Sequence, residues 1–166
     1  MVNKMFVFLF VGESGSGKST IVNMLNERQP YIFNIVKSYT TREKRDEEDN
    51  DHIFIEDKDD LKDETIVAET EINGNYYAST ENQFSKDKLN LYIVDVKGIE
   101  DVKKFFKDEY IIVIQLIRKN IVIDEDRADR NINTTYQNSD YYIENNSIEN
   151  TYNEIHKVIF NEIRYL

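Results

Sequence analysis

Residues 5–20 read MFVFLFVGESGSGKST, and this stretch decides the fold. Its first part, residues 5–11, is an unbroken apolar run, which is typical of a strand buried on both faces of a parallel sheet. Apolar residues at helical spacing follow within residues 19–29, and Pro30 marks the end of that helix. A buried strand, a glycine-rich turn and a helix in this order predict an α/β protein.

The turn between this strand and helix fits the pattern G-x-x-x-x-G-K-[ST] at each required position. Its glycines let the backbone approach phosphate oxygens closely, and the N–H groups of the loop and of the helix N-terminus carry partial positive charge. Lys18 is expected to reach the β- and γ-phosphates, and the Ser19 hydroxyl to ligate Mg²⁺. The motif therefore predicts binding of a nucleoside triphosphate. The predicted nucleotide-binding residues are Gly12, Ser14, Gly15, Ser16, Gly17, Lys18, Ser19 and Thr20.

Further apolar runs alternate with amphipathic segments along the rest of the chain, and the dipeptide Asn73-Gly74 marks a hairpin. Residues 147–166 carry apolar side chains on one face of a predicted C-terminal helix. This alternation predicts the P-loop NTPase fold, with a mostly parallel sheet flanked by helices. The remaining predicted strands are residues 32–38, 65–72, 76–78, 89–94, 110–117 and 141–144, and a further helix is predicted at residues 99–106.

The composition argues against several classes of protein. The chain has 166 residues, about one domain, with 21 Lys and Arg against 32 Asp and Glu. A formal net charge of −11 repels a phosphodiester backbone, so nucleic acid is not an expected partner. The absence of cysteine excludes disulfide and thiolate chemistry. Because no apolar run approaches roughly 20 residues, no membrane association is expected, and the expected compartment is the cytoplasm.

Three short motifs follow the phosphate loop in a set order. Residues 38–48 read SYTTREKRDEE, residues 51–54 read DHIF and residues 74–80 read GNYYAST. Together they resemble the guanylate kinase family, whose nucleotide-binding region has S-x-x-T-R-x-x-R-x-x-E, then D-Y-x-F, then G-N-Y-Y-G-[ST]. The likeness runs from the phosphate loop to the C-terminal helix. It implies Mg²⁺-dependent transfer of the ATP γ-phosphoryl group to a nucleoside monophosphate, with GMP as the first candidate.

The resemblance implies a pair of arginines for the acceptor's phosphate. Arg42 and Arg45 match the family's phosphate-gripping positions, helped by the Tyr77 hydroxyl, and a fork of guanidinium donors suits a dianionic phosphate. His52 stands where the family has a tyrosine, in a loop that is two residues shorter. Two arginines in a loop rich in Asp and Glu also fit a solvated, salt-bridged surface.

The resemblance also implies contacts to the two bases. Ser38, Ser79 and Asp95 match family positions that contact or surround the acceptor's base. Asp95 fits equally a carboxylate that caps a helix before Gly98. Asn145 belongs to a segment that looks like the family's strand ending near the adenine, which makes it a candidate ATP-binding residue.

One departure from the family affects the choice of acceptor. The family's guanine-reading Glu falls on Ala68, with Glu69 one residue later. A shift of one residue moves a side chain to the other face of a strand, so Glu69 cannot be assumed to substitute. A guanine N1–H and N2–H₂ edge without an acceptor would lose roughly 1–3 kcal/mol. Another nucleotide or a phosphorylated sugar therefore remains an alternative acceptor.

The family's mobile lid supplies arginines that neutralise charge on the transferring phosphoryl group. Four cations flank the matching region here, namely Arg118, Lys119, Arg127 and Arg130, although the family's Arg-Gly-Thr lid signature is missing. Arg127 and Arg130 are the candidate lid arginines. They are three residues apart on a predicted helix, so both could face one cleft. Pairing with the nearby Asp124 and Asp126 is the alternative.

The chain is predicted to form a single domain over residues 1–166. Its core is expected at about residues 1–37, 84–119 and 139–166, with an acceptor-binding, β-rich insertion at about 38–83 and a short lid at about 120–138. Two further functions remain open. A regulatory GTPase would share the phosphate loop but needs an [NT]-K-x-D motif that this sequence lacks. A non-catalytic binding module of the same shape would not need the loop and both acceptor arginines.

Overall fold

The computed structural model describes residues 4–119 and 134–164, which form two β-sheets and three α-helices. No helix among these residues is long and apolar enough to cross a bilayer. The elements in chain order are β1 (Phe6–Val11), α1 (Lys18–Arg28), β2 (Phe33–Val36), β3 (Tyr39–Thr40), β4 (Ile53–Phe54), β5 (Ile66–Ile72), β6 (Asn75–Thr80), β7 (Leu89–Ile93), α2 (Val96–Phe105), β8 (Tyr110–Ile117), β9 (Tyr141–Glu144) and α3 (Ile148–Arg164).

The larger sheet has the strand order β2-β7-β1-β8-β9, and every neighbouring pair is parallel. The central strand β1 is buried on both faces. Phe8 and Phe10 join a core cluster with residues of α1 and α3, whereas Val7 and Leu9 join a second cluster with residues of α2. Helices therefore cover both faces, which is why β1 is apolar throughout. The predicted parallel sheet flanked by helices is confirmed.

The smaller sheet has the order β4-β3-β6-β5 and spans residues 39–80. Strands β5 and β6 pair antiparallel around the predicted turn, where Asn73 and Gly74 have φ of 51° and 75°. Positive φ at both central residues is the geometry of the hairpin turn that Asn-Gly favours. The predicted hairpin is confirmed, whereas the two-residue strands β3 and β4 were not predicted, because so short a segment leaves no periodic pattern.

Helix α2 begins three residues earlier than the predicted residue 99. The Asp95 carboxylate accepts a hydrogen bond from the Gly98 N–H at 2.7 Å and so caps the helix N-terminus. The capping interpretation of Asp95 is thereby confirmed. Of the predicted lid, only residues 134–138 lie within the described part of the chain, and they form no helix or strand.

Candidate active site

The phosphate loop joins the carboxyl end of β1 to the first residue of α1. Gly12, Gly15 and Gly17 all have positive φ, at 148°, 80° and 98°. A Cβ at Gly12 would lie 2.2 Å from the Leu116 carbonyl oxygen, and one at Gly17 would lie 2.3 Å from Asn145 Nδ2. The loop therefore needs glycine for its backbone shape and for its close packing. No side chain in the described ranges caps α1, which leaves its first N–H groups for an anion.

The Lys18 ammonium lies across this loop. It donates to the carbonyls of Gly12 and Glu13, both at 2.7 Å, and to Ser16 Oγ at 3.3 Å. Burial lowers the pKa of Lys18 to about 8, against a smaller opposing effect of the Glu13 carboxylate. An anion held in the loop would favour the charged form of this amine. Among the other loop residues, Ser16 is fully buried, Ser19 is half-buried and Thr20 is exposed.

Asn145 follows β9, and its side chain packs against the phosphate loop. Its Nδ2 donates to the Ser16 carbonyl at 2.8 Å, and its Oδ1 accepts from Thr151 Oγ1 at 3.1 Å. The side chain is buried, so these contacts hold the loop against the start of α3. Nothing in the sequence pattern indicated the Thr151 contact. The predicted role of Asn145 in binding the nucleotide itself stays a prediction.

A second residue beside the loop was not among the predicted site residues. Arg118 directly follows β8, and its Nη1 donates to the Gly15 carbonyl at 3.3 Å. Its place immediately after a buried strand was the available signal, because the carboxyl ends of parallel strands meet at one edge of the sheet. Arg127 and Arg130, the predicted lid arginines, lie outside the described residues.

Arg42 lies beside the smaller sheet, two residues after the end of β3, and is only 7 % exposed. Its Nη2 donates to Asp49 Oδ2 at 2.8 Å, its Nη1 donates to the Glu43 carbonyl at 2.7 Å, and its guanidinium carbon lies 5.3 Å from the centre of the Phe54 ring. Its Nε is buried and has no hydrogen-bond partner in the described chain. Arg42 is therefore paired with a carboxylate but is not part of a solvated surface. Arg45 is exposed, and its backbone N–H donates to the same Asp49 oxygen at 3.2 Å.

His52 and Tyr77 lie together, and His52 is close enough to Arg42 to interact with it electrostatically. Their ring centres are 5.5 Å apart, and His52 Nδ1 is a buried atom without a partner in the described chain. Burial, with the positive charge of Arg42, lowers the pKa of His52, so its imidazole is neutral at neutral pH. Buried donors and acceptors of this kind are unusual and often mark a ligand site.

Of the predicted base-contacting residues, Ser79 lies on β6, Ser38 lies between β2 and β3, and Asp95 lies between β7 and α2. Ser38 Oγ is 3.1 Å from the Tyr92 hydroxyl. Ser79 is fully buried and lies near the same hydroxyl. Its Oγ has no hydrogen-bond partner of normal geometry among the described residues. Asp95 is half-buried, and one of its oxygens is engaged by the cap of α2.

Ala68 lies opposite Ser79 in the β5–β6 ladder, next to an irregularity in the register. It is buried among apolar side chains. Glu69 is exposed and accepts from the Tyr76 hydroxyl at 2.7 Å. Glu69 therefore does not take the place of a carboxylate at position 68, because successive side chains of a strand point to opposite faces.

A cavity of about 90 Å³ connects the two halves of the site. Its lining includes Ser19, at the start of α1, together with Ser38 and His52. The cavity thus joins the first turn of α1 to Ser38 and His52, whereas Arg42 does not line it.

A glycine-rich phosphate loop at the end of the central strand of a parallel sheet defines a P-loop α/β protein. The family model described as guanylate kinase matches residues 4–162. The chain therefore belongs to the guanylate kinase family.

Several known proteins are similar to this chain. It is 27 % identical over 115 residues to a guanylate kinase of Helicobacter hepaticus, covering 64 % of this chain and 58 % of that protein. It is 35 % identical over 109 residues to one of Paraburkholderia xenovorans, covering 60 % of this chain and 48 % of that protein. The matched segment thus spans about half the length of these relatives. A crystal structure of guanylate kinase from Anaplasma phagocytophilum superposes with a TM-score of 0.69 at 19 % identity, covering 96 % of this chain and 87 % of that chain, and so shares its fold.

Proposed function

We propose that this protein is an ATP-dependent nucleoside monophosphate kinase that catalyses ATP + GMP = ADP + GDP. The observation that carries the proposal is the cavity whose lining includes both Ser19 of the phosphate loop and Ser38 and His52. The buried guanidinium of Arg42 stands beside His52. Phosphoryl transfer between two phosphates requires an anion-binding group for each, and we assign the phosphate loop to one and Arg42 to the other.

The residues of the phosphate loop suit ATP with magnesium. The loop amides and Lys18 would hold the triphosphate, and the Ser19 hydroxyl would be a ligand of Mg²⁺. Among the described residues no cluster of His, Asp or Glu could bind a metal alone. This fits Mg²⁺, which commonly takes one or two protein ligands together with substrate phosphates. Bound there, the ion would neutralise charge on the phosphate oxygens. We place the reaction in the cytoplasm.

Catalysis would consist of alignment and charge neutralisation. The acceptor phosphate is already anionic, so no general base is needed. Arg42 and Arg45, with the Tyr77 hydroxyl, would hold that phosphate in line with the γ-phosphoryl group. Arg127 and Arg130 are proposed to approach the transferring group from the lid. Closure around both substrates would exclude water and suppress hydrolysis of ATP.

A coupled assay of ADP release tests this function across GMP, dGMP, AMP, UMP, CMP and sugar phosphates. We expect ADP release that depends on GMP, and its reduction by orders of magnitude in Lys18→Ala without loss of the folded state. ADP release that no acceptor increases would indicate a GTPase-like or other NTPase. Absence of turnover with tight binding of a protein partner would indicate a scaffold.

A second candidate function is phosphorylation of a different acceptor by the same site. Ala68, opposite Ser79, places a methyl group where guanine would need a hydrogen-bond acceptor. Ser38, Ser79 and the Tyr92 hydroxyl supply only neutral groups there. ADP release that is fastest with AMP, a pyrimidine nucleotide or a sugar phosphate would favour this candidate over GMP.

A further inference from the structure

The carboxylate of Asp49 lies at the edge of the Arg42 guanidinium that carries Nε and Nη2. Asp49 Oδ2 accepts from Arg42 Nη2 at 2.8 Å and from the Arg45 backbone N–H at 3.2 Å. The two side chains are 8 % and 6 % exposed, so this is a buried ion pair. Nε and Nη2 lie on the same edge of a guanidinium plane, and Arg42 Nε has no partner in the described chain. The carboxylate therefore satisfies one of the two donors on that edge.

Other contacts hold Arg42 in place independently of Asp49. The Nη1 donates to the Glu43 carbonyl at 2.7 Å, and the guanidinium carbon is 5.3 Å from the centre of the Phe54 ring. These contacts involve the opposite edge and one face of the group. Asp49 therefore supplies charge compensation for a buried cation more than orientation.

Asp49 is ionised under the conditions in which a phosphate would arrive. Its burial opposes ionisation, but the hydrogen bonds from Arg42 and from the Arg45 backbone outweigh burial, and the pKa of Asp49 lies below its usual range. His52 also interacts electrostatically with both members of this pair, and the Asp51 backbone N–H donates a further hydrogen bond to Asp49. An anion that binds Arg42 must therefore compete with a fixed negative charge.

We infer that Asp49 is an internal competitor that occupies the acceptor-phosphate position on Arg42 and is displaced when the acceptor binds. A phosphate dianion carries two charges and can bind both Nε and Nη2, whereas the carboxylate carries one charge and binds Nη2 alone. A dianion gains from the exchange, and a singly charged group does not. Asp49 thus sets acceptor affinity and selects for a terminal phosphate. This inference rests on the function proposed above.

The test is the affinity of Asp49→Asn for GMP, measured by calorimetry without ATP, together with the acceptor KM and kcat. Asn has the same shape and keeps an acceptor for the Arg45 N–H but lacks the charge. We expect GMP to bind about tenfold more tightly and its KM to fall, because no charged hydrogen bond has to be exchanged. The affinity for an ATP analogue should not change. Asp46→Asn is the matched control, since it removes the same charge from an exposed site in the same loop.

The outcomes separate this inference from the proposed function. Wild-type turnover of GMP together with equal or weaker GMP binding by Asp49→Asn would show that Asp49 orients Arg42, and would overturn the inference alone. An equal gain in Asp46→Asn would overturn it as well, because the effect would be general electrostatics. Absence of GMP binding and turnover in the wild type would overturn both. If Asp49→Asn does not fold, Asp49→Ser provides the same comparison with a smaller polar side chain.

Discussion

Replacing Gly17 with alanine tests how the phosphate loop is built. Gly17 has φ of +98°, where a side chain costs about 1–2 kcal/mol. The new Cβ would lie 2.3 Å from Asn145 Nδ2, so the amide must move and its 2.8 Å hydrogen bond to the Ser16 carbonyl is lost. Leaving that buried carbonyl unpaired costs about 1–3 kcal/mol. We expect destabilisation of about 2–5 kcal/mol, or a melting temperature lower by about 5–15 °C.

Thermal unfolding followed by circular dichroism measures this effect, with Gly74→Ala as the control. Gly74 also has positive φ, +75°, but an added Cβ would have no atom within 4 Å. The control should therefore show only the backbone cost. The excess cost of Gly17→Ala should disappear when Asn145→Ala is the background, because the clashing amide is then absent. Equal melting temperatures for Gly17→Ala and Gly74→Ala would refute the packing argument.

Three further predictions concern the ligand-binding groups. Arg42→Ala should raise the acceptor KM by at least tenfold with little change in the KM for ATP, because its guanidinium is proposed to hold the acceptor phosphate. Steady-state kinetics in which both KM values rise together would contradict this prediction. The affinity for ATP should fall as pH rises above about 8, because Lys18 of the free protein loses its proton there and the triphosphate favours the charged amine. Calorimetry at pH 7, 8 and 9 should show proton uptake on binding. An affinity that does not change with pH would oppose the assignment of Lys18 to the triphosphate. Thr151→Val should weaken ATP binding several-fold while GMP binding stays constant, whereas Thr151→Ser should restore it; equal loss of both affinities would indicate general destabilisation.

Much of the fold could be predicted because its signals are local. The apolar run of β1, the Asn73-Gly74 turn and the glycine pattern of the phosphate loop each encode backbone geometry within a few residues. The beginning of α2 could not be located from periodicity, since the cap by Asp95 precedes the apolar pattern. Family-like motifs also selected Ser38 and His52, which line one cavity together with Ser19, although their roles there remain predictions.

By itself, the amino-acid sequence determined the strand–loop–helix unit. Its apolar run suits a strand that is covered by helices on both faces, and its glycines permit the positive φ of the loop, so few alternative conformations remain. Only the tertiary structure decided what surrounds that unit. Asn145 reaches Ser16 across 129 residues of chain, and Asp49 meets Arg42 inside a folded loop. Ala68 lies opposite Ser79 through a register that an irregularity in the ladder sets. These contacts depend on how separate segments pack, and no spacing along the chain encodes them.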